Sequence, residues 1–258
     1  MAKRKKKVSV KEMKFKHDPM IRFYERTQEW LQERGRPVVI GVGILAGVIL
    51  LYVAGSYYLD YRKTKAETAY AEAIEKFNAT VLDATSTPTA PPTGKTYADE
   101  QTKWQESGEA FERLANDYSG YYSTTGRYYA GVCYLHIDRD KGISLLEQAA
   151  GKNDRPTSDL ARLALAENYS ANGDTEKAIA LYEQLRGSAS NLKPVVEVGL
   201  GKLYEKTGDI GKAVEAYLEA AKPDRSSGAG AEAEKRLQAL APDRLKELPD
   251  PSTLPVQP

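Results

Sequence analysis

Between positions 37 and 59 the chain reads PVVIGVGILAGVILLYVAGSYYL, 23 residues without a charge, bounded by Arg36 and Asp60. In lipid every backbone N–H and C=O must be satisfied within the segment, so such a run can only be helical there. At about 1.5 Å of rise per residue it would be roughly 34 Å long, against a hydrocarbon core of about 30 Å. Tyr52, Tyr57, Tyr58 and Tyr61 at one end, and Trp30 ahead of the other, stand where amphipathic rings settle at the headgroup level. A cleavable signal has an apolar core of about 7–15 residues. The run exceeds that, and a transmembrane helix over 37–59 is expected.

Charge gives the span a direction. Residues 1–36 hold 12 Lys and Arg against 5 Asp and Glu, so the +1 of the whole chain hides +7 in this segment and −6 in the remainder. Arg22, Arg26, Arg34, Arg36 and the cluster at 3–7 outnumber Arg62, Lys63 and Lys65 beyond the span, which places the N-terminus in the cytoplasm by the positive-inside bias. The basic end reads as a tether near anionic lipid in preference to a contact with ribosomal RNA, and no nucleic-acid partner is expected. Met20, Ile21, Phe23, Tyr24, Thr27, Trp30 and Leu31 recur at helical spacing, predicting a short interfacial helix. Gly43 and Gly47 form a GxxxG step, which permits close packing against a partner span or a second copy of the chain.

Beyond the span, Ala66, Ala69, Tyr70, Ala73, Ile74 and Phe77 mark one apolar face of a helix. The stretch DATSTPTAPPTG and a Pro-rich end then punctuate the chain. The organisation read from this is a basic segment with an amphipathic helix (1–36), a transmembrane helix (37–59), a helix continuing from it (60–82), a Pro/Thr-rich linker (83–96), a repeat domain (97–247) and a disordered tail (248–258). No strand-like alternation is visible.

The repeat domain matches itself at an offset of 35. SANGDTEKAIALYEQL at 170–185 aligns with EKTGDIGKAVEAYLEA at 205–220, pairing Gly173 with Gly208, Ala178 with Ala213 and Tyr182 with Tyr217. Tyr134, Tyr169 and Tyr204 continue the same spacing. A third unit has a turn one residue shorter, with Gly142 in the place of Ala178, and Phe111 and Leu114 mark a partial fourth. The pattern resembles the tetratricopeptide repeat, a helix–turn–helix unit of about 34 residues. In that reading Gly173 and Gly208 end first helices in a left-handed conformation, and Asp174 and Asp209 cap the second helices. Small residues at Gly131, Ala166 and Gly201, facing Gly142, Ala178 and Ala213, let paired helices approach. The fold class is all-α: one N-terminal transmembrane helix followed by a tetratricopeptide-repeat-like solenoid.

The resemblance implies a concave face built by the first helix of each pair. Its usual lining positions fall on Tyr128 and Val132, Leu163 and Glu167, and Val198 and Lys202, which are the candidate peptide-binding groove. Tyr118, Tyr121, Tyr122 and Tyr129 either add amphipathic area for polypeptide recognition or, most of them, pack against the Pro-rich linker or the preceding helix. The Lys and Asn set that clamps a peptide's terminal carboxylate is missing.

The sequence offers little that points to catalysis. The chain carries no P-loop, no GxGxxG after a strand, and no GxSxG, HExxH or CxxC motif. A single cysteine, Cys133, forbids an intrachain disulfide and a Cys-based metal site. His136 with Asp138 and Asp140 falls in a turn and reads as a solvated side chain. The expectation is a non-enzyme with no cofactor.

Taken together, the basic stub, the span, the Ala-rich helix TKAETAYAEAIEKF and the degenerate repeats resemble the YfgM family of bacterial inner-membrane proteins. That resemblance implies a single-pass protein with a periplasmic repeat domain. Its implied partners are translocon subunits of SecYEG, a membrane-anchored prolyl isomerase, periplasmic chaperones and emerging polypeptides. A repeat scaffold for another envelope assembly, such as a secretion, pilus or division complex, shares the same sequence features.

Overall fold

The computed structural model describes residues 19–82, 94–187 and 190–249. The basic stretch at 2–16, the linker over 83–93 and the tail from 250 lie outside the described residues. The chain divides into two units, Met1–Arg62 and Lys63–Pro258.

A single helix, α1 (Pro19–Phe77), supplies the described part of the first unit. It passes through Pro37, whose ring nitrogen has no hydrogen to donate, so one backbone bond of the helix is lost there. The amphipathic stretch at 20–31 is therefore the first part of α1 and not a separate short helix. Among the described residues α1 is the one helix long and apolar enough to cross a membrane, and its most apolar stretch is not buried against the protein at all. Val39, Leu45, Leu50, Leu51 and Tyr52 are all more than half exposed.

In the second unit α1 ends at Phe77, five residues before the expected boundary. The chain then forms a two-residue strand, β1 (Thr80–Val81), pairing in parallel with β2 (Thr96–Tyr97), so Thr80 stands opposite Thr96 and Val81 opposite Tyr97. The end of the expected linker is thus ordered: Tyr97 is buried, its hydroxyl donates to Glu106 Oε2 at 2.8 Å, and Lys95 Nζ reaches the same oxygen at 2.9 Å. Eight helices follow: α2 (Glu100–Asp117), α3 (Ser119–Tyr134), α4 (Arg139–Ala150), α5 (Thr157–Ala171), α6 (Thr175–Arg186), α7 (Lys193–Thr207), α8 (Ile210–Ala221) and α9 (Gly228–Leu240).

Each helix packs on the next, and α3, α5, α7 and α9 also touch in succession along one side. This is the contact pattern of stacked helix pairs, α3 with α4, α5 with α6 and α7 with α8. The partial fourth unit is α2, whose Phe111 and Leu114 share a core cluster with Ala73, Tyr70 and Phe77 of α1. Three further clusters continue the core along the stack. In the last one, Leu245 and Leu248 from beyond α9 pack on Tyr217, Ala233 and Leu237. Leu248 is buried, which moves the start of the expected disordered tail past this residue.

Local geometry explains the repeat markers. Gly173 and Gly208 have φ of +85° and +83°, the left-handed turn that L side chains resist. Where α3 meets α4, a Cβ on Gly142 would sit 2.6 Å from the Leu135 backbone nitrogen, so only glycine lets the two helices close to this distance. Asp209 caps α8 by accepting from Lys212 N at 3.2 Å, and Asp138 caps α4 from Lys141 N at 3.1 Å. Asp174 does not cap α6; its carboxylate is 3.3 Å from Arg139 Nη2, an ion pair between adjacent repeats.

Three of the four tyrosines with two possible roles take the packing one. Tyr122 stacks on Tyr70 with centroids 5.0 Å apart, Tyr129 stacks on Phe111 at 4.8 Å, and Tyr118 packs at the edge of the same cluster. The aromatic face of α1 takes them up. Tyr121 is the exposed one.

A candidate protein-binding trough

The first helices α5, α7 and α9 enclose an open cavity of about 460 Å³. Glu167, Ser170 and Ala171 come from α5, Tyr182 from α6, Val195, Val198, Gly199 and Lys202 from α7, and Ala229 and Glu232 from α9. Lys202 and Glu167 share one repeat position 35 residues apart, so the stacking of α5 and α7 alone puts an ammonium and a carboxylate on the same concavity. The Tyr182 ring closes the floor, where a Cβ on Gly199 would lie 2.5 Å from Tyr182 Cζ. A side chain at Gly199 would push the ring away and change the floor.

Electrostatics in the trough are set by restricted water. Solvent reaches Glu167, yet the surrounding walls displace enough water to push its carboxyl above the usual range, with Lys202 opposing. Burial likewise pushes the Tyr182 hydroxyl up, with Glu167 adding to the shift. Lys202 Nζ lies 2.7 Å from Glu232 Oε1 across the gap between α7 and α9.

Of the six groove residues read from the sequence, the structure brings Glu167, Val198 and Lys202 together in this cavity. Tyr128 and Val132 pack instead against the core of α4 and α5, and Leu163 against the core of α6 and α7. Tyr128 remains close enough to Glu167 for its hydroxyl to be pushed up, by burial first and then by its neighbours Tyr129 and Glu167. The residues missed are Ser170 and Ala171 on α5, Tyr182 on α6, Val195 and Gly199 on α7, and Ala229 and Glu232 on α9, which follows the last matched repeat. Gly43 and Gly47 lie in α1, where an added Cβ would meet nothing within 4 Å.

A second hollow is bounded by Glu100, Gln101, Trp104, His136 and Ile137. His136 stacks on Trp104 at 4.2 Å, and Asp138 is engaged in capping α4. Among the described residues no cluster of three His, Cys, Asp or Glu side chains is placed to hold a metal ion.

Stacked helix pairs with a concave cavity along their first helices define a class, the helical-repeat scaffold that engages other proteins. The family model of the tetratricopeptide repeat-like domain matches residues 28–242, which takes in the apolar run as well as the repeats. The chain belongs to that family. No curated protein and no solved structure matches it. Proteins are accordingly its partners in general, and members of such families are typically scaffolds and not enzymes.

Proposed function

We propose that the protein is a membrane-tethered adaptor of the bacterial inner membrane, with its N-terminus cytoplasmic and its repeats periplasmic. In this reading it works beside the Sec translocon and gathers periplasmic chaperones, a prolyl isomerase or emerging polypeptides there. The observation that carries the proposal is an open, mixed apolar and charged trough on the same chain as a helix fit to cross a membrane. Tethering supplies the mechanism: confinement beside the channel raises the effective concentration of a weak site to roughly the millimolar range without any new contact. The Lys and Arg excess ahead of the span supports the orientation, and the order of parts supports the YfgM-like assignment.

In-cell photocrosslinking tests it, with the probe placed at Tyr52 in the span and at Val195, which is exposed and lines the trough. A translocon subunit captured from Tyr52, together with varied secretory chains or chaperones from Val195, is the expected result. Capture of one other envelope protein from both positions would instead make the chain a scaffold for a different assembly.

A further inference from the structure

The trough carries charge that repeat packing does not require. Glu167, Lys202 and Glu232 line it, two carboxylates against one ammonium. Lys202 is committed to Glu232 at 2.7 Å. Glu167 has no hydrogen bond or ion pair among the described residues, and Lys202 is the one cation that acts on it through space.

Elsewhere this stack pairs the carboxylates it encloses. Glu197, on the core side of α7, is 1% exposed and takes two bonds from Arg186; Asp159, 4% exposed, is held by Arg162 at 2.8 Å. Glu167, which solvent reaches, has no such partner at the wall of the trough. Beside it stand Val195, Val198, Ala171 and Ala229, surfaces suited to the methylene stem of a long side chain. An acidic visitor would meet Glu167 and would have to displace Glu232 from Lys202, so the charge pattern discriminates by sign.

We infer that the trough is a cation-selecting subsite that takes an extended polypeptide segment presenting Lys or Arg among small or aliphatic side chains, the cationic head docking on Glu167. This rests on the trough being the partner site. The stem lies along Val195 and Val198, and the head completes a charge-assisted contact that the protein leaves open. Lys202 moderates the site by neutralising Glu232 and keeps weakly bound cations from being held too tightly.

The test uses the full chain in lipid nanodiscs and short fluorescent Val/Ser peptides identical except for one central residue, Arg, Gln or Glu. The Arg peptide is expected to bind about tenfold more tightly than the Gln peptide, the scale of one charged hydrogen bond, with the Glu peptide weakest. Glu167→Gln should abolish the difference. Lys202→Gln, which frees Glu232 as a second acceptor, should widen it, a gain that a merely damaged fold would not produce. Circular dichroism melting of both variants checks that they fold. Equal binding of all three peptides, a preference for Glu, or an Arg preference that survives Glu167→Gln would each overturn the inference while leaving the trough a partner site. Failure of every peptide to bind, with no capture from Val195, would overturn the trough as a partner site and the inference with it.

Discussion

Replacing Arg186 with Met removes the cation from a buried ion pair while keeping most of the apolar stem. Arg186 Nε donates to Glu197 Oε1 at 2.8 Å and Nη2 to Oε2 at 2.5 Å, joining the end of α6 to the start of α7 beside Val195 and Val198. Glu197 is 1% exposed, so its carboxylate would lose both bonds with little water to replace them. Breaking a buried pair in this way costs about 3–5 kcal/mol. Because the Arg186 side chain is 36% exposed, water already weakens the pair, and the lower end, about 3 kcal/mol, is expected. The lost contact with Glu183 at 3.1 Å adds at most about 0.5 kcal/mol, since both groups face solvent. Removing both charges, Arg186→Met with Glu197→Leu, should restore stability to within about 1 kcal/mol of the original protein, because no charge is then stranded. Urea unfolding of the detergent-solubilised full chain, followed by circular dichroism for both single variants and the double, measures the coupling. The reasoning is wrong if Arg186→Met alone costs less than about 0.5 kcal/mol, or if the double variant is no more stable than that single one.

Three further outcomes are expected. Glu167→Gln should stabilise the fold by up to about 0.5 kcal/mol near neutral pH. The raised carboxyl makes the charged form costly in the folded state, so the deficit is present above that raised value and vanishes as pH falls below the ordinary range for Glu; unfolding of both proteins across pH shows the two curves converging in acid. Gly208→Ala, where φ is +83° but a Cβ meets no neighbour, should cost about 1 kcal/mol from backbone strain alone, whereas Gly142→Ala forces a Cβ to 2.6 Å from backbone and should cost about 1–3 kcal/mol, both read from urea midpoints. Cys133 is fully buried and its thiol is pushed up to about 12, so Ellman's reagent at mildly alkaline pH should leave the native protein unmodified and label it fully once unfolded.

The repeat was legible wherever geometry leaves one residue type able to serve. A left-handed turn demands Gly173 and Gly208, and helices in close contact demand Gly131 and Gly142, so spacing alone located the stack. The transmembrane reading of 37–59 rested on the same kind of necessity, the absence of charge. Side chains with several possible neighbours were not legible. Asp174 and Asp209 occupy one repeat position, yet Arg139 lies within reach of Asp174 and draws its carboxylate away from the helix end. Tyr122 and Tyr129 could be read either way because their partners, Tyr70 on α1 and Phe111 on α2, are settled only by the way the helices pack. Two-residue strands such as Thr80–Val81 are too short to show a period, and Leu248 stood alone in a Pro-rich run. The trough was readable only in part: the 35-residue offset delivered Glu167, Val198 and Lys202, while Glu232 and Ala229 sit on α9, outside any matched unit.

The placement of Leu245 and Leu248 bears on what a linear array does at its end. Stacked hairpins have no intrinsic length, and an uncovered last hairpin invites another, including one from a second molecule, to continue the row. Here, among the described residues, α9 is followed by the 3-10 helix Pro242–Glu247, and Leu245 and Leu248 cover the last core cluster, while Arg225 pairs with Glu234 and donates to the Pro249 carbonyl at 3.3 Å. Any newcomer to this face must first displace Leu245 and Leu248.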